Sequence, residues 1–131
     1  MSEITTSGTV ANGTGLASDY TVNLTNGNLA VNKFTLNYTI GSDSQTYGSP
    51  ANLTADLAGT FSTGVNGENL AITYASLGDT ATAHVGNYDI TGTVSDGNGL
   101  ASDYTVNMTN GNLTVNKFTL NYTIANDSQT Y

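Results

Sequence analysis

Residues Tyr20 to Ile40 read YTVNLTNGNLAVNKFTLNYTI, and the stretch returns at Tyr104 to Ile124 as YTVNMTNGNLTVNKFTLNYTI. Apolar and polar residues alternate through it. Tyr20, Val22 and Leu24 alternate with Thr21 and Asn23, and Phe34, Leu36, Tyr38 and Ile40 alternate with Thr35, Asn37 and Thr39. A period of two marks strands with one buried face. Asn26-Gly27, repeated as Asn110-Gly111, lies between two such runs, and Asn-Gly suits the positive-φ positions of a type I′ turn. The local reading is an antiparallel hairpin pairing Tyr20–Thr25 with Asn28–Asn32.

The duplication extends outward on both sides. Ser7 to Tyr47 aligns without gaps to Thr91 to Tyr131 at an offset of 84 residues, with 33 of 41 positions identical. A period this long exceeds the roughly 20–50 residues of solenoid rungs or propeller blades, so each unit should be a small domain with its own core. The expected organisation is residues 1–32 as the closing part of one repeat, 33–116 as a complete 84-residue repeat, and 117–131 as the opening strand of the next. The chain then reads as a window on a longer array.

Between the copies, strands are expected at Asn52–Leu57, Asn69–Leu77 and Val85–Val94, separated by turns such as Thr63-Gly64-Val65-Asn66-Gly67. Leu70 to Leu77 is the one segment open to a helical reading, and its Ile72, Thr73 and Tyr74 favour the strand. Six or seven short strands in about 84 residues predict an all-β fold of tandem small β-sandwich, immunoglobulin-like modules. A β-grasp-like module is the alternative.

Composition narrows the partners. Ten acidic residues face two lysines, no arginine and one histidine, giving a formal charge of −8, so nucleic acid and anionic membrane surfaces are repelled. Charged residues make up only 9% of the chain, against about 25% in an ordinary domain; Asn, Thr, Ser and Gly supply the polarity. There is no cysteine, hence no disulfide framework or thiolate chemistry. No apolar run approaches the ~20 residues that span a bilayer, and the N-terminus lacks the pattern of a signal peptide.

Three landmarks occur in order: Tyr47-Gly48-Ser49-Pro50, then Val85-Gly86-Asn87-Tyr88-Asp89-Ile90, then Asp103-Tyr104-Thr105-Val106 through Asn110-Gly111-Asn112-Leu113-Thr114-Val115. This order resembles the MBG-type repeats of bacterial surface adhesins, including filamentous-haemagglutinin-like proteins, with Lys33 to Asn116 as one domain. The resemblance implies a secreted or cell-surface location and a spacer role. The near lack of Lys and Arg and the close identity of the copies depart from typical relatives.

Chemistry-bearing residues are sparse. His84 is the single histidine, so a Ser-His-Asp arrangement would have to form around it; a turn histidine before Val85-Gly86 is the plainer reading. Asp19, Asp43, Asp79, Asp96, Asp103 and Asp127 offer oxygen ligands suited to calcium, but their spacing matches no calcium loop. Lys33 and Lys117 occupy equivalent places before a strand. They read either as exposed charges that discourage misplaced strand pairing or, by analogy with adhesin domains, as one side of a Lys–Asn crosslink with Glu68 as the acid and Asn107 or Asn112 as partner. An intact mass short by one ammonia would reveal that bond.

Tyrosines, eight against three phenylalanines, would serve as core or rim, Tyr20, Tyr38, Tyr104 and Tyr122 included, or as a glycan-stacking surface. Sequons begin at Asn12, Asn23, Asn37, Asn52, Asn107, Asn112, Asn121 and Asn126, and sugars on the outward-facing ones are one use for them. No catalytic, cofactor-binding or metal residue is assigned. The expected function is a structural, non-enzymatic spacer repeat of a bacterial adhesin or extracellular fibre. Its partners would be neighbouring identical repeats or copies of itself, with Phe118–Ile124 adding as a strand to residues 7–32 of another molecule. The alternative is a multivalent module contacting a glycan or cell-surface protein through loops and tyrosines.

Overall fold

The computed structural model describes residues 2–131, with side chains from residue 4 onward. Among the described residues nine strands carry the fold: β1 (Ser2–Thr6), β2 (Gly27–Val31), β3 (Phe34–Thr39), β4 (Asp43–Thr46), β5 (Thr60–Ser62), β6 (Asn69–Ala75), β7 (Gly86–Asp96), β8 (Tyr104–Thr109) and β9 (Gly111–Asn116). One helical turn, α1 (Leu53–Asp56), and two 3-10 turns, Ala17–Asp19 and Ala101–Asp103, complete the elements. The chain is all-β, as its alternation predicts.

β5, β6, β7, β9 and β4 form one five-stranded sheet in that order, and β3 and β8 form a two-stranded ribbon. The ribbon packs on the sheet. Leu36 and Tyr38 of β3 and Tyr104 and Val106 of β8 meet Phe61, Leu70, Ile72, Ile90 and Leu113 from the sheet, with Leu53 of α1 joining the cluster. Tyr38 stacks on Phe61 at 4.3 Å between ring centroids. Leu70, Ile90 and Leu113 are fully buried. The result is a sandwich-like arrangement of two β layers around a single core.

Ribbon and sheet share the same two lengths of chain. β3 pairs with β8 in parallel from Phe34↔Tyr104 to Thr39↔Thr109, and β4 pairs with β9 in parallel from Asp43↔Leu113 to Thr46↔Asn116. Both registers have the same offset of 70 residues. Residues 34–46 and 104–116 are therefore one parallel pair that bends in the middle as it passes from ribbon to sheet. Ile40 N–H donates to Thr109 C=O at 2.9 Å across the bend.

This corrects the hairpin reading. Asn110-Gly111 does not reverse the chain, and neither residue is among those with positive φ, which are Gly48, Gly64, Asn66 and Gly67. A partner lying in one register along both flanks keeps the strand running on in the same direction, so long-range pairing overrides the local turn preference. Gly111 has a different use: a Cβ there would run into the Gly41 carbonyl oxygen and crowd Ile40 Cγ2. It is a close-approach glycine.

The first copy shows the same logic. Tyr20–Thr25 is not a strand, and β2 pairs antiparallel with β1, from Ser2↔Val31 to Thr6↔Gly27. β7 and β9 pair from Gly86↔Val115 to Ile90↔Gly111, the same register displaced by 84. The 3-10 turns match too: Ala17 N–H donates to Asn12 Oδ1 at 2.6 Å and Ala101 N–H to Asp96 Oδ1 at 2.8 Å. Turn and antiparallel pairing recur in both copies, whereas the strand at 104–109 forms only where β3 lies beside it. Likewise FTLNYT is a strand at 34–39 and belongs to no strand at 118–123.

Asn52–Leu57 is the other corrected segment, since α1 occupies it. The Asn52 side chain accepts from Ala55 N–H at 3.2 Å while Asp56 accepts from Asn52 N–H at 3.3 Å. This local capping wins over a strand. The remaining strands expected in the middle fall at β6 and β7. Between β5 and β6, the predicted glycine-rich turn contains three of the four positive-φ residues.

Candidate functional site

The parallel pairing of the first and last strands of the 34–116 unit fixes where the chain comes in and where it leaves. Phe34 and Tyr104 start the ladder at one end, and Thr46 and Asn116 finish it at the other. The two ends of the unit are the places where it meets preceding and following chain.

At the front end, the phenol of Tyr104 donates to Glu68 and to Thr63 Oγ1, the latter at 3.3 Å. Thr63 in turn donates to Glu68 C=O at 3.0 Å and accepts from Val65 N–H at 3.1 Å, which ties the positive-φ turn to β8. Hydrogen bonding to Glu68, the largest cause, raises the Tyr104 pKa above its ordinary value. Phe34 meets the Tyr104 ring edge-on at 6.4 Å. A cleft beside this network is lined by Val31, Asn32, Lys33, Val65, Asn66, Glu68 and Ser102.

At the far end, Tyr47-Gly48 forms a tight turn in which Ser49 N–H donates to Thr46 C=O at 2.9 Å. Gly48 takes φ 91°, the positive value that position i+2 of a type II turn requires. Tyr47 N–H donates to Asn116 C=O at 2.8 Å, so the turn clasps the last residue of β9. Buried Gln45 fastens the neighbouring loops. Its amide donates to Gly78 C=O at 2.7 Å and Thr80 C=O at 3.1 Å, and its carbonyl accepts from Ala51 N–H at 3.1 Å. An apolar groove here is formed by Tyr47, Gly48, Ser49, His84 and Val85 with Lys117, Phe118 and Leu120.

The sequence-level candidates fall as follows. His84 is exposed at this far groove, and its carbonyl accepts from the Tyr88 phenol at 2.9 Å. Asp96 caps the second 3-10 turn, Asp19 and Asp103 lie in the turns, and Asp43 and Asp127 each bond the next backbone N–H. No group of three or more His, Asp or Glu comes together among the described residues. Asp43 Oδ2 and Asp79 Oδ1 are buried without a hydrogen-bond partner.

Lys33 is exposed, and Glu68 is engaged by Tyr104 rather than by lysine. Asn107 bonds Asn37 across the ladder at 3.2 Å, and Asn112 bonds Asn87 and Thr114. The arrangement does not assemble Lys33, Glu68 and either asparagine into a crosslinking centre. Tyr38 and Tyr104 serve the core as expected; Tyr20 and Tyr122 are exposed, because each lies on a segment without its ladder partner.

Among the sequons, Asn12 and Asn52 have their side chains committed to local caps. The sequence carries one signal for Gln45, its recurrence as Gln129 in the duplicated tract, and one for Thr63, its place at the start of the glycine-rich turn.

Tyr74 gives a measurable signature of the closed sandwich. Its hydroxyl donates to Ala58 C=O and lies 3.5 Å from the Tyr38 hydroxyl. Burial, first, and then the Tyr38 hydroxyl push its pKa up to about 12. A folded-state value above the unfolded one, about 10, means the fold favours the neutral phenol. That contribution is fully present below pH ~10 and is lost as pH rises through about 12. Tyrosinate absorbance should show late-titrating rings, Tyr104 among them, and Tyr74→Phe should remove one of these.

The MBG domain, YGX type, is the family whose sequence profile matches this chain, over residues 36–114. No curated protein and no solved structure matches it. No helix among the described residues is long and apolar enough to cross a membrane.

Proposed function

Because the chain belongs to the MBG domain family of the YGX type, we propose that it acts as a structural, non-enzymatic spacer repeat of a bacterial adhesin or fibre, at the cell surface or outside the cell. The repeat is taken as Lys33 to Asn116. One observation carries this reading: the first and last strands run in parallel, so the chain enters at one end of the unit and leaves at the other. Antiparallel terminal strands would return the chain to its starting side and fold an array back on itself. With parallel ones, each 84-residue period advances the array by at most about 46 Å, the 13 ladder residues and Lys117 at ~3.3 Å each, less the shortening from the bend. Small-angle scattering on concatemers of one, two and four periods should show the longest dimension growing linearly with copy number. A dimension that stays flat as copies are added would overturn the spacer reading.

Exposure of the opening strand supports strand addition as the way neighbours engage. Leu120 and Tyr122 are 83% and 87% exposed, whereas their equivalents Leu36 and Tyr38 are half-buried against β8. The 70-residue offset sets the pairing: Phe118 opposite Tyr20, Leu120 opposite Val22 and Tyr122 opposite Leu24 of a second copy, in parallel. Backbone ladder bonds give such contacts their strength and the alternate side chains their register. Sedimentation should show mass rising with concentration, and Leu120→Asp should suppress it. A monomer at every concentration removes strand addition and leaves the spacer intact.

A further inference from the structure

We infer that the parallel pair formed by residues 34–46 and 104–116 is a mechanical clamp, which makes the unit resist tension applied along the chain. The inference deepens the spacer reading, on which the use of such a clamp rests. Tension on a chain passing through the unit acts at Phe34 and at Asn116. These lie at opposite ends of two neighbouring parallel strands. Pulling therefore slides one strand lengthwise past the other.

Six residue pairs in the ribbon and four in the sheet carry that load together. In shear the ladder's hydrogen bonds must fail as a group, because none can lengthen without the rest. In peeling they fail one after another, and each break costs only a single bond's modest net contribution. Sliding also drags Leu36 and Tyr38 across the core they pack against, and Tyr104 away from Glu68 and Thr63. The far-end turn adds a further bond, Tyr47 N–H to Asn116 C=O, beside the loaded residue.

The same chain holds the opposite geometry as an internal reference. β1 and β2 are antiparallel, with Ser2 facing Val31. Tension between those two residues opens their five pairs in sequence from one end, so the segment should give way at low force.

Single-molecule stretching of the full chain between marker domains tests the clamp. The expected trace has a weak early opening from residues 2–31, then a peak at least threefold higher. The later event should release roughly 260 Å, from 83 residues at ~3.6 Å less the folded span. A second geometry uses the natural absence of cysteine: handles on Thr46→Cys and Asn116→Cys pull two facing residues apart and peel the same ladder. At equal loading rate its peak should be at least threefold lower than the end-to-end peak, provided the thermal melt of the variant matches the native one. If the variant does not fold, the two events within the native trace decide. Equal forces in the two geometries, or a main event no stronger than the early one, would overturn the clamp. Neither result bears on the scattering test of length, so the two readings can fail separately.

Discussion

Leu113→Ala should unfold the 34–116 unit or lower its melting temperature by 10 °C or more, whereas Leu29→Ala, the equivalent residue one period earlier, should leave it unchanged. Leu113 is 0% exposed on β9 in the centre of the core, and Leu29 is 51% exposed on β2. Truncating a fully buried leucine removes its transfer free energy and leaves a cavity, about 2–5 kcal/mol together. A domain of this size holds only about 5–15 kcal/mol in total, and each kcal/mol moves its melting point by roughly 4–8 °C. At Leu29 the side chain is already half in water, so the change should fall within about 0.5 kcal/mol. The residue type and its immediate neighbours, Asn and Ala or Thr, are nearly the same at both sites. Any difference therefore measures the enclosing core. Matching losses on thermal denaturation of the two variants would mean that residues 20–31 also sit in a closed sandwich.

That comparison shows which parts of the fold can be read locally. The strands β3, β6 and β7 announce themselves by alternation, because each buries one face, and Tyr38, Ile72 and Ile90 fall on that face. The 3-10 turn is local as well: the same hydrogen bonds close it at Ala17 and at Ala101, whether or not a core lies behind it. Topology is different. Whether TVNMTNGNLTV folds back on itself or runs straight depends on residues 34–46, seventy positions earlier, and no signal within the segment reports them. Asn-Gly has two meanings in strands, a tight turn or a place where another backbone comes close, and only the partner distinguishes them. The Asn52 segment fails for a local reason, since an amide that can cap a helical turn outweighs alternation over six residues.

Function followed the same division. The order of Tyr47-Gly48, Val85-Gly86 and the closing segment was legible as a family pattern, and the profile match over residues 36–114 agrees with it. The two ends of the unit were not, because the Tyr104–Glu68–Thr63 network and the Gln45 fastening join positions 33 to 41 residues apart. Direction of travel through the module, the property a spacer most needs, is likewise a consequence of pairing rather than of any residue type.

Gly111→Ala should cost the unit about 1–3 kcal/mol, and Gly27→Ala, the same change one period earlier, should cost a few tenths or nothing. Gly111 is buried where the parallel pair bends, and an added methyl meets the Gly41 carbonyl oxygen and the Ile40 side chain. Backbone on the facing strand cannot turn aside as a side chain can, so the two strands must separate locally. At Gly27 the nearest obstacle is the Thr6 hydroxyl at 3.0 Å, the free end of an exposed side chain that can rotate. Neither glycine has positive φ, so backbone strain does not enter, and an ordinary strand gains slightly from losing glycine. At Gly27 that gain offsets most of the small steric cost. Because the methyl at Gly111 forces apart the strands that carry tension, the variant should also lower the end-to-end unfolding force while leaving the early, weak opening of residues 2–31 where it was. A melting point for Gly111→Ala equal to that of the native chain would show that residues 34–46 and 104–116 do not cross at the distance the bend requires, and the continuous parallel pair would have to be abandoned.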